Sequence, residues 1–284
     1  MGGTGQTDAG RVVTRAGRPR AGRPASRTAY VTTAPHPALS VVFPAWNEVD
    51  NIDESIDGAV RALDGLCRRW EVIVVDDGST DGTGARVEAW AAREPRVRLV
   101  QHPRNQGYGA ALRSGFRAAR MDHVFFTDAD LQFDLRELAL LLPHTRSFDI
   151  VAGYRHARQD PWGRRANAWL WGRLVDAAFD VGVRDVNCAF KVFRREVLER
   201  CVIRSAGAFV NTELLARARA RGYRVRQVPV THYPRTLGEQ SGARPRVVAR
   251  AFVELGLLYG ELRGQPAYGE LQQADMQRAG ARPA

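Results

Sequence analysis

Lysine is nearly missing from this chain. Of 42 basic residues only Lys191 is a lysine, the rest being arginine, a bias that GC-rich coding explains, so arginine richness does not by itself argue for nucleic-acid binding. Cysteine is scarce as well. Cys67, Cys188 and Cys201 are odd in number, show no C-x-x-C spacing and have no histidine at metal-ligand spacing, which disfavours a disulfide framework and a zinc module. No apolar run of about 18 residues occurs. Residues 28–47 are uncharged but full of threonine and proline, and the C-terminal run is cut by Glu254, so no membrane-spanning helix is expected. The first 38 residues lack the apolar block of a secretory signal, and the expected location is a reducing cytoplasm.

What is present suits one sizeable core: 284 residues, 44% of them apolar. The formal charge of +11 favours anionic partners such as nucleotides, phospholipid surfaces or nucleic acid, without choosing among them. Residues 1–37 hold six arginines, one aspartate and no apolar periodicity, and read as a disordered basic arm. That arm takes +5, which leaves a moderate +6 on residues 38–284.

From Leu39 the pattern changes. Strand-like runs at 39–43, 71–75, 97–100 and 123–127 are each followed by a helical stretch, at 49–66, 84–93, 108–120 and 135–142. This alternation predicts an α/β fold with a doubly wound, mostly parallel sheet and helices on both faces. Ligands of such sheets bind outside the carboxyl ends of the strands. Three strands end there in polar clusters: Pro44-Ala45-Trp46-Asn47-Glu48, Asp76-Asp77-Gly78-Ser79-Thr80-Asp81-Gly82 and Asp128-Ala129-Asp130-Leu131-Gln132.

The first two clusters could be turn and cap chemistry alone. The Asp128-x-Asp130 pair is different, because two carboxylates at the end of an apolar strand repel and call for a cation. A hard divalent ion sharing diphosphate oxygens meets that need, and Gln132 could add a neutral oxygen. There is no EF-hand spacing and no Walker A loop, and Gly107-Tyr108-Gly109-Ala110-Ala111-Leu112 lacks the third glycine of a dinucleotide fingerprint.

Four ordered blocks, Val-Val-Phe-Pro-Ala-Trp-Asn-Glu, Val-Val-Asp-Asp-Gly-Ser-Thr-Asp-Gly-Thr, Asn-Gln-Gly-Tyr-Gly-Ala-Ala-Leu-Arg-Ser-Gly and Asp-Ala-Asp-Leu-Gln-Phe-Asp, resemble family 2 glycosyltransferases of the GT-A fold. Within that family the chain looks most like the polyprenol (dolichol) phosphate mannosyltransferase branch, over about residues 39–245. The resemblance implies a nucleotide-sugar donor, with GDP-mannose favoured. It assigns Pro44, Asn47, Glu48 and Asp76 or Asp77 to base and ribose, Asp128 to the ribose and metal side, and Asp130 with Gln132 to Mg²⁺ or Mn²⁺. Asn105 and Arg113 would organise the crevice rather than do chemistry.

The same resemblance brings Arg155 and Lys191 near the acceptor and matches Glu213 to the carboxylate that inverting members present to it. A lipid phosphate is already an anionic nucleophile, which would make Glu213 positional, whereas a hydroxyl acceptor would need it as a base. Arg235 carries over from the family's Arg, Gly, Ser, Lys pattern and counts with Asp130 and Glu213 among the expected catalytic residues. Gln240 adds one residue before Ser241, and Gly242 stands at the lysine position, so Arg244 becomes the compensating cation.

The expected layout is an arm at 1–37, a GT-A domain at 38–232, an acceptor-side loop and amphipathic helix at 233–264, and a disordered tail at 265–284. Two stretches read as interfacial or, equally, as packed against the core: 162–180, with three tryptophans among arginines, and 246–262, with Val247, Val248, Ala251, Phe252, Leu255, Leu258, Tyr259 and Leu262 on one stripe. The expected activity is metal-dependent, inverting transfer of a hexose, mannose favoured, to polyprenyl phosphate, by an enzyme peripheral on the cytoplasmic face of a membrane. The competing expectations are transfer to a soluble or polysaccharide hydroxyl and, from another class, a basic nucleic-acid-binding protein. The latter leaves Asp128 and Asp130 without a purpose, so no nucleic acid is expected.

Overall fold

The computed structural model describes residues 37–156, 162–234 and 245–264. The expected arm and tail therefore lie outside the described residues, apart from Pro37. Strands β1 (Leu39–Ala45) and β2 (Trp70–Asp76) are buried at every position, as strands covered on both faces must be. With β3 (Val97–Gln101), β4 (His123–Thr127), β5 (Ile150–His156), β6 (Phe190–Arg194) and β7 (Val225–Thr231) they form a seven-stranded sheet of order β3-β2-β1-β4-β6-β5-β7. β1 to β4 pair in parallel, β6 runs antiparallel to both β4 and β5, and β5 pairs in parallel with β7. The mostly parallel α/β architecture predicted from the alternating pattern is the one observed.

Helix α1 (Ile52–Leu66) buries Ile52, Ile56, Ala59 and Leu63, a 4-3-4 spacing that puts one face on the sheet. It starts later than position 49 because the Glu48 carbonyl takes the amides of Asn51 and Ile52, closing a turn first. Helices α2 (Thr83–Arg93) and α3 (Tyr108–Ala118) follow β2 and β3. The helix expected over 135–142 is broken up. Only α4 (Leu138–Leu141) is α-helical, between 3-10 turns at Leu135–Glu137 and Leu142–Arg146, because Pro143 has no amide hydrogen to carry the ladder onward.

Helix α5 (Trp162–Phe179) leads to β6, followed by α6 (Arg195–Arg200), α7 (Val210–Ala220) and, after β7, α8 (Pro245–Arg263). Helices α5 and α8 touch through Trp171–Phe252 and Phe179–Tyr259, with ring centroids 5.5 and 6.2 Å apart. The single stripe expected on 246–262 is split in the structure. Ala251, Leu255, Leu258 and Leu262 face the core, whereas Phe252, Val253 and Leu257 face out, as do Trp169 and Leu170 of α5. Among the described residues no helix is long and apolar enough to cross a membrane.

Helix α3 can approach β1 and β2 only because Gly115 has no side chain: a Cβ there would overlap Val42 Cγ1 and lie 3.1 Å from Val75 Cγ2. Both valines are fully buried and cannot move aside. Gly115→Ala should therefore destabilise the fold by about 1–3 kcal/mol, despite alanine's better helix propensity. Urea denaturation checks this; an unchanged or raised midpoint would mean that the helix is not pressed onto the sheet there.

Candidate active site

The carboxyl ends of β1 and β2 are laced together by short polar contacts. Asn47, in the left-handed region at φ 54°, receives the Thr80 amide on Oδ1 and gives its own amide to Ser79 Oγ, both at 2.9 Å. The Glu48 amide donates to Thr83 Oγ1 at 2.9 Å. Pro44, which has no amide hydrogen, falls in β1 beyond Val42, where pairing with β4 ends. Trp46, half exposed, stands at the lip of this edge.

Asp76 and Asp77 part company here. Asp76 closes its own turn, accepting the Ser79 amide at 2.9 Å and the Gln101 side chain at 3.2 Å. Asp77 is spent inside the protein, where it accepts the amides of Gln106 and Gly107 at 2.9 and 2.8 Å and contacts His102 Nδ1 at 2.6 Å. His102 Nε2 reaches Ser114 Oγ at 2.8 Å, which ties this carboxylate to the flank of α3.

At the end of β4, Asp128 Oδ1 accepts the Tyr108 hydroxyl at 2.8 Å. Burial pushes the Asp128 carboxyl up from its ordinary range, Tyr108 and Lys191 pull it back, and the charge of Glu48 raises it further. Ser55 Oγ on α1 holds the Ala129 carbonyl at 2.9 Å, and Leu131 takes φ 61°, an uncommon conformation for a branched side chain. That turn lets the Gln132 amide donate back to Asp130 Oδ1 at 3.2 Å. Glu48, Arg155 and Lys191 thus lie within electrostatic reach of Asp128, and Asp128 and Asp130 both lie within reach of Tyr108.

The chain beyond β7 is fastened to this same loop. The Tyr233 amide donates to the Gln132 carbonyl at 2.8 Å and Gln132 Nε2 to the Tyr233 carbonyl at 3.1 Å, while Phe133 and His232 form a β-bridge. Thr231 gives its amide and hydroxyl to Glu137 at 2.7 and 2.6 Å. Arg235, Ser241 and Arg244 lie outside the described residues.

Three expected acceptor-side residues are placed with partners inside the protein. Arg155 makes a two-pronged pair with Asp185 at 2.7 and 2.8 Å. Lys191 is fully buried, donating to the Val186 carbonyl at 2.9 Å, to the Cys188 carbonyl and to Asn211 Oδ1 at 3.4 Å. Glu213 is buried and accepts the amides of Arg204 and Ser205 at 3.0 and 2.7 Å and the Arg217 guanidinium at 2.9 Å. It clamps the loop before α7. Arg113 also holds the carbonyls of Arg204 and Ser205.

Tyr108, Asn211 and Asp185 were not singled out from sequence as site residues. The available signal for Tyr108 was an aromatic hydroxyl between two glycines at a strand-to-helix junction. A metal would find hard oxygen donors here, the carboxylates of Asp128 and Asp130 and the amide oxygen of Gln132, which suit Mg²⁺ or Mn²⁺. Among the described residues no group of three His, Cys, Asp or Glu side chains gathers around one point, so oxygens from a bound diphosphate would have to complete the shell.

With this geometry in hand, residues 40–202 match the family model described as Glycosyl transferase family 2. The chain is 32% identical to glycosyltransferase AglD of Haloferax volcanii over 84% of this chain and 43% of that protein. It is 33% identical to the undecaprenyl-phosphate 4-deoxy-4-formamido-L-arabinose transferase of Edwardsiella ictaluri, over 71% of this chain and 62% of the other. The chain therefore spans less than two thirds of either relative. Among solved structures, glucosyl-3-phosphoglycerate synthase from Mycobacterium tuberculosis in complex with Mn²⁺, UDP and glucosyl-3-phosphoglycerate superposes with a TM-score of 0.58 at 25% identity, over 80% of this chain and 77% of that one. A mannosyltransferase from Pyrobaculum calidifontis, in complex with GDP-Man and Mn²⁺, shares the fold at TM-score 0.57 and 24% identity, over 82% and 66% of the two chains.

Burial pushes the Lys191 ammonium down to about 8 from the usual 10.5. Between these values the unfolded chain holds a proton that the folded chain has released, so the Lys191 contribution to stability rises with pH across that window. Below pH 8 the full desolvation cost stands. Relative to Lys191→Met, the wild type should gain on the order of 3 kcal/mol between about pH 8 and 10.5. Urea denaturation of both proteins at several pH values measures this, and a difference that stays flat would show that the ammonium is not desolvated.

Proposed function

Because this chain belongs to the family 2 glycosyltransferases, we propose that it moves a hexose from a nucleoside-diphosphate sugar to a polyprenyl phosphate with inversion at the anomeric carbon. The observation that carries the acceptor class is the clamp on Glu213. A hydroxyl acceptor needs a base, and this carboxylate is buried under two amides and a guanidinium. A phosphate acceptor needs none, since its oxygen is already anionic at neutral pH. The outward Trp169, Leu170, Val253 and Leu257 supply a surface on which a lipid-bearing membrane can be met. The relative from Edwardsiella ictaluri, named for an undecaprenyl-phosphate sugar transfer, agrees with this reading.

In the proposed reaction an acceptor phosphate oxygen attacks the anomeric carbon from the side opposite the diphosphate. The bond from that carbon to the diphosphate oxygen breaks, and the nucleoside diphosphate leaves with the electron pair. Asp128, Asp130 and Gln132 would hold Mg²⁺ or Mn²⁺, which supplies charge neutralisation for the leaving diphosphate. Glu48, Asn47 and the Asp76 turn line the base and ribose end, with Pro44 beneath them and the Trp46 ring offering an apolar face to a base. Asp77 serves that end by holding the approach to α3. Arg235, with Ser241 and Arg244, would meet the acceptor phosphate where the chain leaves Tyr233, and Arg155 and Lys191 stiffen the wall behind.

The branch resemblance makes GDP-mannose the first donor to test. The Mycobacterium tuberculosis enzyme, solved with UDP-glucose as well, makes that sugar nucleotide the second. The same enzyme, solved with phosphoglyceric acid, supports an alternative reading in which the acceptor is water-soluble.

Incubation of the protein with Mn²⁺ or Mg²⁺, radiolabelled nucleotide sugars and polyprenyl phosphate separates the two. Label extracted into the organic phase is the expected result; label in a water-soluble product would replace it with the alternative. Asp130→Ala should cost about 10² to 10³ in rate while the far-ultraviolet spectrum is retained. Full activity in that variant, or indifference of the wild type to EDTA, would remove the metal from the scheme. A Trp169→Glu, Leu257→Glu double variant should no longer float with anionic lipid vesicles yet should still act on a short-chain acceptor in detergent. Flotation equal to wild type would show that these faces do not meet the bilayer.

A further inference from the structure

Three side chains from three helices and strands line up behind one oxygen of Asp128. Lys191 on β6 donates to Asn211 Oδ1 at 3.4 Å, besides holding the Val186 and Cys188 carbonyls. Asn211, in the first turn of α7, has its side-chain oxygen turned to that ammonium, which leaves its amide nitrogen available to the Tyr108 hydroxyl, with which the side chain interacts. Tyr108, at the start of α3, donates to Asp128 Oδ1 at 2.8 Å. The two hydrogen bonds of this row, Lys191 to Asn211 and Tyr108 to Asp128, point the same way, from a buried cation towards a carboxylate.

The place of Tyr108 is set by the acceptor half of the molecule. The Gly109 amide donates to the Ala206 carbonyl at 2.8 Å, and a Cβ on Gly107 would lie 2.5 Å from that oxygen. The loop carrying Ala206 is the one that Glu213 clamps through Arg204 and Ser205.

We propose that Tyr108 is a positioning residue: with Asn211 and Lys191 behind it, it consumes one oxygen of Asp128 and so fixes which oxygen of that carboxylate a donor-bound cation meets. The inference rests on the donor-site reading above. Asp128 gains a single orientation from this arrangement, which two carboxylates sharing one cation with a diphosphate require.

Calorimetry of Mn²⁺ together with UDP or GDP, whichever the wild type binds, tests the idea without turnover. Tyr108→Phe keeps the ring and should weaken the Mn²⁺-dependent binding about tenfold, the size of a charge-assisted hydrogen bond, while affinity for the nucleotide in EDTA stays within about twofold. Asn211→Ala should act in the same direction. Because the residues work as one chain, the double variant should lose no more than about twofold beyond the worse single variant. Equal losses with and without metal, or none in either, would overturn the positioning role, and multiplying losses would overturn the chain. Thermal melts of all four proteins show whether a loss reflects folding instead, and an Asn211→Ala protein that melts like wild type yet binds Mn²⁺ with nucleotide unimpaired overturns the proposal as well. If the wild type binds neither nucleotide with Mn²⁺, the donor-site reading fails, and this inference with it, before any variant is made.

Discussion

Carboxylates can sit at the edges of an apolar sheet only if donors replace the water they lose. Among the described residues, the buried Glu71, Asp77 and Glu137 meet that requirement by joining segments far apart in the chain, and Glu213 by clamping the loop before its own helix. At the amino edge of the sheet Glu71 takes the Ser40 hydroxyl, the Arg98 guanidinium and the Arg120 amide, all at 2.7 Å. At the opposite edge Asp77 gathers residues 102, 106 and 107, Glu137 holds Thr231, and Glu213 holds residues 204 and 205. Ionic hydrogen bonds thus help to fix the loops that shape the crevice.

The two halves of the sheet use this device differently. On the donor side Asp76 closes its own turn while Asp77 ties that turn to the approach to α3. On the acceptor side the buried Arg217 stands between Glu213 and Glu261, so α8 is locked to α7 and to the loop packed on α3. Glu261 is held below its ordinary range chiefly by hydrogen bonding to Arg217. Pairs of this kind contribute little net stability but penalise any arrangement that separates them, which suits a helix whose outer face is apolar.

Much of this was legible in the sequence, because strand ends and the polar clusters that follow them are local in the chain. The strands through β4 and the blocks around Asn47, Asp76 and Asp128 fall where their patterns place them. What could not be read depends on distant partners. Nothing local marks β6 as antiparallel, and that reversal brings Lys191 across from Phe126 and into the core. A lysine between Phe190 and Val192 on an alternating strand reads as solvated, yet carbonyls five and three residues earlier bury it. Asp76 and Asp77 cannot be told apart until β3 supplies His102. The end of the α-helical ladder before Pro143 is local and legible, whereas the 3-10 turn at Leu135–Glu137 carries no such mark in the sequence.

The burial of Lys191 has a consequence for the outside of the molecule. It is the one lysine in the chain, so no side-chain amine reaches the surface, and apart from histidine every basic side chain there is a guanidinium. Guanidinium groups keep their proton throughout the range in which lysines lose theirs. Amine acylation, whether by a reagent or by an acetylating or ubiquitinating enzyme, finds no surface side chain to neutralise. The positive charge of this surface is therefore insensitive to alkaline pH and closed to lysine-directed regulation.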